Sequence, residues 1–198
     1  MKLFISFLFA AALWAEPRIL IIGDSISMGY TPFVTKMLDG KAYVEHNANN
    51  GGPTSNGVAH IQEWLKDGNW DVIHFNFGLH DLKVMENGKH QVSLEDYEKH
   101  LGILIAAMKK TRAKLVFATS TPVPDGKQNP IRLTADVPRF NAVALRVMEQ
   151  NKIEVDDLYE VAMKRIGEIQ RPNNVHFTGP GYEALAKPVV EAIWKQLR

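Results

Sequence analysis

The apolar run Ile19-Leu20-Ile21-Ile22 ends abruptly in Gly23-Asp24-Ser25. A serine hydroxyl is a weak nucleophile until a base takes its proton, so chemistry at Ser25 requires a histidine close to it in space. His176, at the end of Asn173-Asn174-Val175-His176, is the best candidate, because that loop immediately precedes a C-terminal helical stretch. A base in turn needs an acceptor that orients its ring, and Asn173, three residues upstream, could supply one. Attack on an acyl carbon also needs hydrogen-bond donors aimed at the developing oxyanion. The Ser25 N–H, at a strand-to-helix turn, is one. A Gly51-Gly52 turn offers a second, with no side chain to obstruct a substrate. His80, in Gly78-Leu79-His80-Asp81, could give a third.

These residues are far apart in the chain, so a fold must bring them together. Apolar or β-branched runs at 19–22, 42–45, 71–77, 114–119 and 153–155 read as strands. Helical patterns lie between them. Thr31-Pro32 suits a helix start and leads to about Leu38. Ser93 suits an N-cap for a helix that places Tyr97, Leu101, Leu104, Ile105 and Met108 on one face. Asp136 to Met148 is a further helix. The last starts near Thr178-Gly179-Pro180, repeats Tyr182, Leu185, Val189, Ile193 and Leu197 at helical spacing, and contains Pro188. This alternation predicts an α/β protein: a three-layer α/β/α sandwich around a five-stranded parallel sheet, flavodoxin-like in arrangement. Ligands of such sheets bind beyond the carboxyl ends of the strands. Ser25, the Gly51-Gly52 turn and His80 fall in loops at those ends, and Asn173 and His176 lie just before the last helix.

Residues 1–15, with Lys2, an apolar run and Ala15 before Glu16-Pro17, read as a secretory signal peptide, leaving 16–198 as one domain. The expected location is secreted or periplasmic. Removing Lys2 from 23 basic residues leaves 22 against 22 acidic ones. No basic excess points to nucleic acid or to an anionic membrane, and stable membrane association after signal removal is not expected. There is no cysteine, which excludes disulfides, a thiol nucleophile and thiolate metal sites. The histidines at 46, 60, 90 and 100 show no metal-ligand spacing. His74 and Asn76 read as satisfied core polar groups, and Trp64 and Trp70 as core. Lys127, Arg132 and Arg139, in or after the Pro-rich loop 121–130, could meet an anionic sugar.

The four blocks in this order resemble the SGNH (GDSL-type) hydrolase superfamily. The resemblance runs from Ile19 to the last helix. It implies Ser25 as nucleophile and first oxyanion donor, Gly52 as the oxyanion glycine with Gly51 as the competing register, and no metal or organic cofactor. The third block of the family usually reads Gly-x-Asn-Asp, and here His80 stands at the asparagine. An imidazole N–H can donate as an amide does, and a histidine there is expected to titrate near neutrality. The fourth block usually reads Asp-x-x-His, and here Asn173 stands at the acid. The consequence is a slow or specialised enzyme, a working Ser-His dyad, or an acid borrowed from Asp156 or Asp157. Together with the expected signal peptide, the resemblance implies a secreted serine esterase that removes small acyl groups, such as acetyl, from carbohydrate. The substrate would be a small acyl ester or an acylated saccharide. A non-catalytic carbohydrate-binding relative is the alternative from another class. A further alternative is a pocket turned to other carbohydrate chemistry, with Asp24 and Asp81 as a carboxylate pair.

Overall fold

A computed structural model describes residues 15–66, 68–126 and 129–198. The expected signal segment, apart from Ala15, and Lys127 lie outside the described residues. Five strands, β1 (Arg18–Ile22), β2 (Tyr43–His46), β3 (Val72–Phe75), β4 (Lys114–Ala118) and β5 (Glu154–Asp156), pair in parallel in the order β2-β1-β3-β4-β5. The apolar run that opens the sequence becomes β1, near the middle of the sheet, with Ile19 to Ile22 fully buried. Both faces of β1 and β3 are covered, which is why Ile19 to Ile22 read as a continuous apolar run and β3 departs from one only at the buried His74. Phe75 and Phe117 meet edge-on across β3 and β4 at 5.3 Å between ring centroids.

The helices are α1 (Ser25–Met37), α2 (Thr54–Leu65), α3 (Leu94–Lys109), α4 (Asp136–Asn151), α5 (Leu158–Met163), α6 (Ile166–Ile169) and α7 (Gly179–Gln196). They cover both faces of the sheet, with α1 packed on α7, and α3 packed between α2 and α4. Ser93 caps α3 by accepting from the Asp96 N–H, and all five residues of its expected face are buried. Thr178 caps α7 in the same way through the Gly181 N–H.

Two local expectations change. The first helix starts at Ser25 and not at Thr31, because the Asp24 carboxylate accepts the Ile26 N–H and caps it there; Pro32 sits inside the helix. The third strand ends at Phe75 and not at residue 77, and the Asn76 side chain turns to donate to the Ala118 carbonyl at 2.7 Å. Among the described residues no helix is long and apolar enough to cross a membrane.

Candidate active site

Order reverses in the sheet between β1 and β3, since the chain leaves β1 toward β2 on one side and returns to β3 on the other. A crevice opens at such a point, at the carboxyl ends of the strands. The loop after β1 is fixed on both sides. Gly23 N–H donates to Asn47 Oδ1 at 2.8 Å, and Asp24 caps α1. Ser25 therefore occupies the first helical position, where its backbone N–H has no acceptor within the helix.

His176 reaches this serine from 151 residues away, with Nε2 at 2.9 Å from Ser25 Oγ. Its loop is stapled from behind. Arg171 N–H donates to the His176 carbonyl at 2.9 Å, Thr178 N–H donates to Ile169 O at 2.9 Å, and Val175 and Phe177 are buried on either side. The ring's other nitrogen, Nδ1, lies 2.7 Å from Asn174 Oδ1, which also accepts the His176 backbone N–H at 2.9 Å. The backbone N–H can only donate, so the atom facing it is the amide oxygen. Nδ1 must then carry the hydrogen, and Nε2 is left as the acceptor for the serine proton. Burial lowers the His176 pKa below the ordinary imidazole value, and the Arg171 and Arg132 charges lower it further.

Asn173 does not hold this position. Its backbone is left-handed, with φ of 51°, its side chain is exposed on the rim of the cleft, and the next residue's amide takes the ring. The orienting group is thus displaced by one residue from the expected register. Neither alternative acid is near the imidazole. Asp156 bonds the buried His74 at 3.0 Å, and Asp157 caps α5 and accepts from Thr119 at 2.9 Å.

Neither glycine N–H expected as an oxyanion donor is without an acceptor. A Cβ on Gly51 would sit 2.6 Å from the Gly23 carbonyl, and the Gly51 N–H donates to that carbonyl at 2.8 Å. This close approach locks the second loop onto the first and closes the competing register. The Gly52 N–H is engaged too, by Asn50 Oδ1 at 2.9 Å. That acceptor is an exposed asparagine folded back two residues on, so the donor becomes available when one surface side chain swings away.

His80 enters from the loop after β3, whose turn depends on Gly78. With φ of 141°, a Cβ there would lie 2.3 Å from Ser120 Oγ. The Lys83 ammonium donates to His80 Nδ1 at 2.8 Å. An ammonium has no lone pair, so Nδ1 accepts and Nε2 carries the hydrogen. Asp24 Oδ2 stands 3.9 Å from Nε2, too far to capture it. His80 does not titrate near neutrality. Burial first, then the Lys83, Arg132 and His176 charges, push its pKa down to about 3. It is a neutral N–H donor over the working range of pH, not a switchable cation.

A family model for the GDSL-like lipase/acylhydrolase family matches residues 21–184. The chain belongs to that family. No curated protein matches the sequence. Among solved structures, the fold is similar to the lipase/acylhydrolase from Enterococcus faecalis, with a TM-score of 0.77, 20% identity, and 90% of this chain and 95% of that chain covered. It is also similar to the acetyl xylan esterase AlAXEase, with a TM-score of 0.76, 16% identity, and coverage of 89% and 99%. Axe2, an acetylxylan esterase from Geobacillus stearothermophilus, gives a TM-score of 0.74, 18% identity, and coverage of 89% and 94%.

In this acylhydrolase the cleft over Ser25 and His176 has a volume of about 340 Å³. Its walls are polar, with Asn50, Lys83, Asn129, Arg132, Asn173 and Asn174 all facing it. Sequence reasoning missed Asn174, Lys83 and Asn50. The Asn173-Asn174 repeat was the one available signal, because either amide could have faced the ring.

Asp24 and Asp81 are not a facing carboxylate pair. Asp24 caps α1, and Asp81 accepts both the N–H of Thr54, at 2.8 Å, and its hydroxyl. Burial nonetheless pushes the Asp81 carboxyl up to about 6, against the lowering by those two bonds. The folded acylhydrolase therefore holds this proton at a pH where the unfolded chain, with an ordinary value of 3.8, has lost it. The contribution falls as pH rises from about 4 to about 6, by about 3 kcal/mol at most. Asp81→Asn keeps an acceptor for Thr54 and abolishes the titration. Thermal unfolding should show the variant gaining on wild type between about pH 4 and pH 7; a constant difference contradicts this reading of Asp81.

Proposed function

We propose that the protein is an exported serine esterase that removes small acyl groups, acetyl above all, from carbohydrate by Ser-His catalysis. The observation that carries the proposal is the 2.9 Å contact between Ser25 Oγ and an imidazole nitrogen held as an acceptor. Ser25 attacks the ester carbonyl as His176 Nε2 takes its proton. The same nitrogen then protonates the leaving alcohol, and water repeats the sequence on the acyl-enzyme. The tetrahedral oxyanion is held by the Ser25 N–H, by His80 Nε2–H, and by the Gly52 N–H once Asn50 has moved aside. The polar cleft supports a hydrophilic alcohol over a lipid, and the likeness to acetyl xylan esterases agrees with an acetylated saccharide. The segment 1–15 supports export.

Acetate release from a panel of acetylated polysaccharides and lipid esters tests this reading. Wild type should release acetate from at least one saccharide faster than from any lipid ester, and Ser25→Ala should release none above background. A protein that binds saccharide and deacylates nothing contradicts it.

Asn174 supplies the correct tautomer but no charge. In serine proteases an Asp→Asn change costs about 10⁴ in kcat, largely through the wrong tautomer. Here only the missing stabilisation of the imidazolium remains to be recovered. Asn174→Asp should raise kcat about 10- to 100-fold and move the acid limb of the kcat/KM profile upward, since a carboxylate favours protonated His176. Asn173→Asp should change neither. The reverse outcome would return the orienting role to Asn173.

A further inference from the structure

Lys83 and Arg132 line one cleft with Ser25 and His176, yet the mechanism uses only the bond from Lys83 to His80. Arg132 is 7% exposed. Its Nε donates to the Leu79 carbonyl at 2.8 Å. Among the described residues the rest of its guanidinium has no hydrogen-bond partner, and none of its nitrogens is sealed from solvent. Among the described residues neither cation forms an ion pair with a carboxylate. Asp24, the carboxylate whose charge acts most on both, is committed as a helix cap, and Asp81 is committed to Thr54.

A guanidinium largely withdrawn from water without a counter-ion is costly, and a second cation in the same cleft adds repulsion. A planar fork with open N–H groups is suited to the two oxygens of a carboxylate or sulfate. Arg139, which the sequence also offered for such a role, is spent on Asp136 at 3.0 Å and lies outside the cleft.

We propose that the natural ester carries an anionic group on the sugar close to the acylated hydroxyl, a carboxylate or a sulfate, and that Arg132 and Lys83 hold it. This rests on the esterase reading and names its substrate class. The anion fixes which hydroxyl of the sugar presents its acyl group to Ser25. It also neutralises the cleft as it binds, so the cations act on substrate and not on the serine.

Binding to the Ser25→Ala protein separates this claim from turnover. The probes are an acetylated methyl glucuronide, its neutral methyl ester, and an acetylated sugar sulfate, titrated by calorimetry or NMR. The charged sugars should bind at least about 10-fold tighter than the neutral ester at about 20 mM salt, with the gap shrinking at about 300 mM. Preference between the two charged probes identifies the anion. Adding Arg132→Gln should close the gap, and adding Arg139→Gln should leave it. Should Arg132→Gln fail to fold, Lys83→Gln reads the same gap. Equal affinities for charged and neutral sugars overturn the proposal, even where wild type deacetylates both and the esterase reading stands. A charge-dependent gap in binding with no deacetylation by wild type leaves the anion site in place and overturns the esterase reading.

Discussion

His176→Ala lowers kcat/KM for acetyl ester hydrolysis by at least about 10³-fold, and the remaining activity shows no acid limb between about pH 5 and pH 8. The size follows from what the ring does twice in each half-reaction. It removes the serine proton on attack and returns a proton to the leaving oxygen. Without it Ser25 keeps its hydroxyl hydrogen near neutrality, and the alkoxide leaves unassisted. The acid limb belongs to the same group, because the base must be unprotonated. Burial and the Arg171 and Arg132 charges hold it below the ordinary imidazole value, so wild type should stay active into mildly acidic solution. The substitution leaves the fold intact. The ring is half-buried, and its loop is anchored by backbone bonds and by Val175 and Phe177. Matching thermal melts for variant and wild type, with a rate loss smaller than about 10-fold, would remove His176 from the chemistry.

The second large effect is at His80. Removing one oxyanion donor costs about 10² to 10³ in kcat. His80→Ala should fall in that range with little change in KM, because the donor matters most when charge has developed on the substrate oxygen. His80→Asn should recover most of the loss, since an amide N–H can serve in place of the imidazole N–H. The pH profile separates this reading from a charged one. A neutral donor with a pKa near 3 adds no limb of its own above about pH 4. A new limb near pH 6.5 that disappears in His80→Asn would show that the histidine works as a cation.

The parts that were legible in the sequence follow local rules. Strand runs reveal themselves by apolar content, and the caps Ser93 and Thr178 by side chains that can accept an N–H two or three residues on. Ser25 was legible because strand ends of a parallel sheet define where a site must lie, and His176 because its loop immediately precedes the C-terminal helix. What stayed hidden depends on which rotamer faces which neighbour. Asn173 and Asn174 are chemically identical, and the left-handed turn at Asn173 decides which of them meets the ring. Gly52 reads as an open donor until Asn50 is seen folded over it. His80 reads as an ordinary titrating histidine until Lys83, three residues on in the same turn, bonds its Nδ1 and burial removes water. The start of α1 was misplaced for a related reason. Thr31-Pro32 carries the stronger helix-start composition, but Asp24 is the residue placed to cap.

The most direct test of the account is covalent. A serine-directed fluorophosphonate is applied to wild type and to Ser25→Ala and His176→Ala, and the adduct is located by peptide mass spectrometry. One adduct is expected, on Ser25, absent from the first variant and formed at least about 10²-fold more slowly in the second. Labelling of folded wild type at another serine, or none while ester hydrolysis proceeds, would contradict it.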